Sequence, residues 1–325
     1  MAHKYSYWPL AVFMAIVIVA ASGAGAYLYY HSKLSPTKPL LSVELGDNVT
    51  VNYVGYFGSG PQAGAIFDTS LWSVANNSNL KKSLEFANRG SQAAYTPLGV
   101  HVGPTAPSGG YVVHNTTFNT VITGFWKGML GMTGNVSKWI SIPPSLGYGN
   151  GQAGCYQSSP LVYTIPATNL IALSTFHTQY PNATAATGAQ FADPQYGWTD
   201  FVLSANASWV VVQYHPTLGQ LASPYGYPEQ VTNISTASGG AGTITLTSLL
   251  APSQAGLVLG KLPSSASTVC SANKFIVSSI SPATNTQVWN FNAEVMGQTL
   301  VFVVTVLNIY PGPSHTGGSS GSGGY

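Results

Sequence analysis

Apolar and polar residues alternate with period two through "NVTVNYVGYF", Asn48 to Phe57, which puts Val49, Val51 and Tyr53 on one face. That period marks a half-buried β-strand. "TLVFVVTVLNI", Thr299 to Ile309, is apolar almost without interruption and predicts a strand at a sheet centre. "VITGFWKGML", Val121 to Leu130, has another rhythm. Ile122, Phe125, Trp126 and Met129 recur at helical spacing, and Gly131 falls where a C-terminal cap belongs. Together these segments predict one short amphipathic helix lying across a β-sheet. "WISIPPSLGYG", Trp139 to Gly149, closes a further strand with two prolines and a glycine-flanked tyrosine, Tyr148.

From about Asn150 to Thr286 strand-like runs such as "WVVVQY" and "TITLTSLL" alternate with the turn clusters "DPQYGW", "SPYGYP" and "SGGAG". Two stretches echo each other, "FVLSANASWVVVQYHPTLGQ" and "FIVSSISPATNTQVWNFNAEVMGQ". Both run from strand through turn to strand and end in Gly-Gln. Polar β-rich sequence echoes itself easily, so the pattern leaves open whether a unit is duplicated. The body is expected to be mainly β, in the α+β sense of sheets with a little helix.

The N-terminal pattern is different again. After a short flank (residues 1–7), "WPLAVFMAIVIVAASGAGAYLYY", Trp8 to Tyr30, is uncharged and apolar for long enough to cross a bilayer as a helix, with aromatic residues at both ends. Ala24-Gly25-Ala26 also offers a cleavage site, so a signal peptide is the competing reading. A Pro-containing linker (31–41) and a Gly/Ser tail (311–325) flank the body.

Only 6% of the 325 residues are charged and the net charge is +2, so the chain has no basic patch for nucleic acid. So few carboxylates leave little stability to be lost on acidification, which suits an acidic exterior. N-x-S/T triplets at Asn48, Asn76, Asn115, Asn135, Asn182, Asn206 and Asn233 all follow the apolar segment and favour an extracytoplasmic body. Cys155 and Cys270 have no C-x-x-C spacing for metal or redox work and read as one structural disulfide in an oxidising compartment.

Five segments occur in the order and with the residue choices of a known family: "GDNVTVNYVGYF", "IFDTS", "VITGFWKGMLGM", "WISIPPSLGYG" and "GQTLVFVVTVLNI". Together they resemble the FK506-binding-protein (FKBP) type of peptidyl-prolyl isomerase over about a third of the chain. "VWNFNAEVMGQTLVF" further resembles the SlyD-like branch, in which an insert-in-flap domain interrupts the loop after the GYG turn. The resemblance implies an FKBP-like antiparallel sheet wrapped on a short helix, built from residues 42–149 and 287–310. A β-rich insert would occupy 150–286, with the first sheet resuming near Trp289.

The activity so implied is rotation about X–Pro peptide bonds, which needs no nucleophile, metal or cofactor. Its barrier is about 18–20 kcal/mol because amide resonance holds the bond planar. A dry aromatic pocket penalises the planar, more polar amide more than the twisted one. By resemblance Tyr53, Phe67 and Phe302 are aromatic walls and Phe125 is the pocket floor. Val121 and Ile122 hold the substrate backbone, Asp68 lies beside the rotating amide, and the Tyr148 hydroxyl meets a substrate carbonyl. Asp68 also reads as a plain turn-former bonding its own backbone. Partners would be unfolded or extended proline-containing chains, with the membrane engaged through the N-terminal helix. The SlyD-like branch further implies a chaperone role for the insert. About fifty residues separate Phe67 from Val121, an excess over the family spacing that would form a lip over the pocket or block it.

Overall fold

The computed structural model describes residues 41–105, 111–113, 116–235, 242–263 and 266–312, with 111–113 described by their backbone alone. Residues 8–30, most of the linker and all but the first two residues of the tail lie outside that range. No described helix is long and apolar enough to cross a membrane.

The described chain is mainly β, in antiparallel sheets with few helices. Its early strands are β1 (Asn48–Phe57), β2 (Ile66–Thr69), β3 (Leu98–His101), the hairpin β4 (Tyr111–Val113) and β5 (Thr116–Phe118), and β6 (Ser137–Ile142). The last strand, β19 (Leu300–Tyr310), returns between β1 and β6, giving the order β2-β1-β19-β6 with β3 also paired to β1. The apolar run expected at a sheet centre is therefore there. In β1 the expected face is buried, with Val49 and Val51 at 0% exposure. Its other face is buried as well, at Thr50 and Val54, so the strand is not half-exposed. The sheet is covered there because the chain between β2 and the helix folds back over it: fully buried Phe118 of β5 meets Tyr310 of β19 edge-on at 5.4 Å.

The helix Thr123–Met129 buries Phe125, Trp126 and Met129 and stops at Gly131, which takes φ 77°. Gly124 and Gly128 let it approach β6. A Cβ on either would lie 2.4 Å from Ile142 or 2.3 Å from Ile140.

The insert repeats one design three times. It opens with three consecutive strands, β7 (Tyr156–Pro160), β8 (Val162–Pro166) and β9 (Thr168–Ala172), then the helix Leu173–Gln179. Three meanders follow: β10 (Gln190–Ala192), β11 (Thr199–Ala205) and β12 (Trp209–Tyr214); β13 (Leu221–Ala222), β14 (Glu229–Ser235) and β15 (Thr243–Ser248); β16 (Leu259–Lys261), β17 (Lys274–Ser281) and β18 (Thr286–Asn290). Each meander takes one opening strand as its fourth member, in reverse order: β10-β11-β12-β9, β13-β14-β15-β8, β16-β17-β18-β7. The middle strand of each carries a bulge at one place, after Val202, Val231 and Val277. The echo in the sequence thus covers two of three like units. Aligned on the bulges, Asp200, Glu229 and Phe275 occupy one position.

Two corrections follow. The first sheet does not resume near Trp289. The strand Thr286–Asn290 pairs with β17 and β7, and Trp289 stacks on Phe275 at 4.4 Å inside the insert. Return to the first sheet comes at Leu300, and the insert keeps Gln287 to Asn292, six residues assigned to the outer domain, since Phe291 packs in an insert core and Asn292 bonds Gln152, whereas Val295 packs on the first core. The Asn48 triplet is a poor glycan acceptor, because Asn48 is 8% exposed and its Oδ1 meets His101 Nδ1 at 3.0 Å. Cys155 and Cys270 form the expected disulfide, with Cα atoms 5.7 Å apart.

Candidate functional site

The site is built where β1, β2, β19 and the short helix meet. Alternation in β1 points Tyr53 into the core, β2 delivers Phe67 and then Asp68 on the opposite side, β19 delivers Phe302, and the helix sets Phe125 beneath them. The rings form one cluster. Phe302 meets Phe125 edge-on at 5.0 Å and Phe67 edge-on at 5.4 Å, while Tyr53 lies 6.0 Å from Phe125 and 6.1 Å from Phe302. Such edge-to-face pairs add to area burial because ring edges and faces carry opposite partial charge. Gly55 lets the cluster close, since a Cβ there would fall 2.7 Å from the Phe67 ring.

Four sequence-expected residues frame the cluster at the surface. Val121 and Ile122 are partly buried against it, and Ile122 caps the helix by accepting the amide of Phe125 at 3.0 Å. Tyr148 is 46% exposed on the turn that follows β6. The turn is braced: Gly149, at φ 78°, donates to Pro144 O at 2.9 Å, and Gly297 donates to Gly149 O at 2.8 Å. Burial around the Tyr148 hydroxyl, and secondarily the charge of Asp68, raise its pKa.

Asp68 lies within strand β2, opposite Gly55, and not in a turn. Its Oδ1 accepts the backbone amide of the next residue, Thr69, at 2.8 Å. Its Oδ2 accepts the Tyr53 hydroxyl in a short hydrogen bond. Arg89 completes the set by donating to Asp68 Oδ1 at 2.8 Å and to the Tyr53 hydroxyl at 2.9 Å, while its guanidinium lies 5.4 Å from the Tyr95 ring. Burial, then Asp68, hold Tyr53 protonated by raising its pKa far above the ordinary phenol value. Sequence reasoning did not find Arg89, which lies in the aperiodic stretch "EFANRG". Its one signal was scarcity, because it is the only arginine in the chain.

The rings are deeply set, with Tyr53, Phe67, Phe125 and Phe302 at 6, 7, 3 and 4% exposure. The long segment after β2 is tied down beside them. Glu294, itself buried, accepts Ser83 Oγ at 2.8 Å and the amides of Leu84 and Glu85 at 3.0 and 3.2 Å. A cleft of about 550 Å³ reaches Tyr53 and Arg89, between Pro97, Leu98, Asn308 and Tyr310. A second, of about 940 Å³, lies wholly in the insert. Neither is lined by Phe67, Phe125 or Phe302, so the site is a rim over a ring-filled core. Compared with known proteins, the chain matches no family model and no curated sequence.

Proposed function

We propose that the chain is a peptidyl-prolyl cis-trans isomerase of the FKBP type, held at the outer face of a membrane and acting on X–Pro bonds of exported, incompletely folded proteins. The observation that carries this reading is the convergence of Tyr53, Phe67, Phe125 and Phe302 from distant segments under a rim of Asp68, Tyr148, Val121 and Ile122. A proline ring laid on that rim meets aromatic edges and little water. Planar X–Pro amides are more polar than twisted ones, so such a surface favours the twisted form. Tyr148 supplies a hydroxyl to the substrate carbonyl. Arg89 and Tyr53 fix Asp68 in place, its charge directed toward the rotating amide.

The apolar segment 8–30, the N-x-S/T triplets and the disulfide support the location. A chaperone role for the insert rests on the resemblance to the SlyD-like branch. A second reading, a surface-binding or structural protein on an FKBP scaffold without catalysis, is favoured by the burial of the rings. Prolyl cis/trans exchange of a short X–Pro peptide, measured with the full-length protein, separates the two. Tyr148→Phe and Asp68→Ala are each expected to lower kcat/KM by roughly tenfold, the effect of losing about 1.4 kcal/mol of transition-state stabilisation. Exchange at the uncatalysed rate in the unaltered protein would decide for the second reading.

A further inference from the structure

The three repeated units of the insert converge on one place. In each, the turn leaving the first meander strand carries a proline: Pro194 after β10, Pro224 after β13 and Pro263 after β16. All three turns line the same cleft, of about 940 Å³. That volume falls within the range of small-ligand sites, about 300–1,000 Å³. The threefold design is broken on one side by the two-turn helix Leu173–Gln179, which joins β9 to β10; the connection into β16 holds only the single 3-10 turn Pro252–Gln254, and that into β13 no described helix. Phe176 of that helix is fully buried in the core of the first unit, whereas Ser174, Thr175, Thr178 and Gln179 form a wall of the cleft. An inserted helix whose cleft-facing residues are all hydroxyls or an amide turns the meeting point of three turns into a walled groove.

The lining chemistry narrows the ligand. Among the described residues Lys261 is the one cation in the lining, and Asp193, also in the lining at 3% exposure, accepts the amides of Gln195 and Tyr196 on Oδ1, both at 2.7 Å, and the Tyr180 hydroxyl on Oδ2 at 3.3 Å, so an anionic ligand is poorly served. Hydroxyl and amide side chains on the helix wall and the first turn leave an apolar ligand with unpaired polar neighbours. Side-chain amides offer donor and acceptor together, and Tyr214, Pro194 and Pro263, which are not buried, offer ring surface to C–H groups. We propose that this cleft binds a neutral polyhydroxylated ligand, a segment of oligosaccharide chain, independently of the isomerase reading.

The test titrates full-length protein, held in a zwitterionic detergent without a sugar headgroup, with neutral hexasaccharides (chitohexaose, mannohexaose, maltohexaose, xylohexaose). A heparin hexasaccharide and a proline-rich decapeptide serve as contrasting probes, read by calorimetry. At least one neutral hexasaccharide is expected to bind. Gln179→Ala is expected to weaken it by about tenfold, as an unpaired ligand hydroxyl would. Thr175→Trp, which fills the cleft from an exposed position, is expected to abolish binding, and Thr232→Ala on a distant sheet surface to leave it unchanged. Unaltered thermal unfolding of the variants shows that the fold is kept. Absence of binding by every neutral hexasaccharide, preference for heparin or the peptide, or binding that survives Thr175→Trp would overturn the proposal.

Discussion

Raising the pH should loosen the insert, whereas most proteins gain stability on leaving acid. Asp200 and Glu229, at the same position of two repeated units, are both at 0% exposure, and neither has a cationic partner among the described residues. Neither oxygen of Asp200 has a hydrogen-bond partner of good geometry, while the Asp193 carboxyl, the Trp198 indole and the His215 backbone face it. Tyr180 donates its hydroxyl to Asp193 Oδ2 at 3.3 Å, and burial together with Asp193 and Asp200 raises the Tyr180 and Tyr214 pKa values. Glu229 accepts the Tyr163 hydroxyl at 2.7 Å on one oxygen and nothing on the other, among Tyr196, Tyr225 and Tyr227. Burial, then the neighbouring Asp193, push Asp200 up to about 9, and burial pushes Glu229 up to about 7 against the opposing Tyr163 hydrogen bond. Both lie above the unfolded carboxyl value near ~4.

The folded state therefore keeps protons that the unfolded chain releases. The stability they confer is whole below about pH 4 and is lost as pH climbs through the folded values. At about 1.4 kcal/mol per pH unit, Glu229 alone accounts for roughly 3 kcal/mol between pH 4 and pH 8. For a body of this size that is a fall in Tm of roughly 10 °C. Only eight Asp and Glu occur in the whole chain, so few other groups mask the effect. Calorimetric unfolding across pH 3 to 9 is the assay, with the double variant Asp200→Asn, Glu229→Gln carrying uncharged isosteres. The unaltered protein should lose stability from pH 4 to pH 8 and the double variant should show a flatter profile. Stability that climbs over that range, or a slope the double variant leaves unchanged, would refute the reasoning.

Three other outcomes are expected. Arg89→Met frees both Asp68 and the Tyr53 hydroxyl from their shared donor, so kcat/KM for the proposed prolyl exchange should drop by about tenfold while the fold survives, because the pair is partly exposed and adds little stability. Gly128→Ala would drive a methyl to 2.3 Å from Ile140 and should cost about 1–3 kcal/mol in denaturant unfolding, whereas the same change at exposed, open Gly154 should not act through packing. Replacing Cys155 and Cys270 by alanine opens a loop of 115 residues and should destabilise the insert by about 5 kcal/mol in the chain-entropy model, read as a lowered Tm without reductant.

The sequence showed most of the first sheet and little of the insert, for physical reasons. Val49, Val51 and Tyr53 announce β1 because one face packs on a single core, and Phe125 and Met129 announce the helix for the same reason. The insert has three small cores in place of one, around Phe275, Val210 and Ile244, so no long run of either period accumulates. Its repeat is carried by backbone register and a bulge, which Val202, Val231 and Val277 share while their neighbours differ in chemistry. At one position the three units hold Asp200, Glu229 and Phe275, a variation that hides the equivalence from the sequence. Tyr148 could be singled out because its segment carries a fixed turn, and Asp68 because of what "IFDTS" resembles. Arg89 could not, since only folding brings it across from an irregular segment.

Nesting explains how so large an insert sits in one turn of another sheet. The opening strands β7, β8 and β9 are laid down in order and the meanders return to them in reverse, so the first strand of the insert pairs with its last. Tyr156 stands opposite Asn290, and the ladder is continued by Phe291 donating to Cys155 O at 2.9 Å and by Gln152 donating to Asn292 Oδ1 at 2.7 Å. Entry and exit are thus neighbours, and the stem closes directly on the turn bearing Tyr148, where Gly297 binds Gly149 O at 2.8 Å. A domain whose ends meet imposes no stretch on its host loop. The same contact makes the stem a brace for Tyr148: the residue proposed to touch substrate is held from one side by Pro143 and Pro144 and from the other by the closure of the insert, so the insert's folding and the geometry of the rim are linked through a single hydrogen-bonded turn.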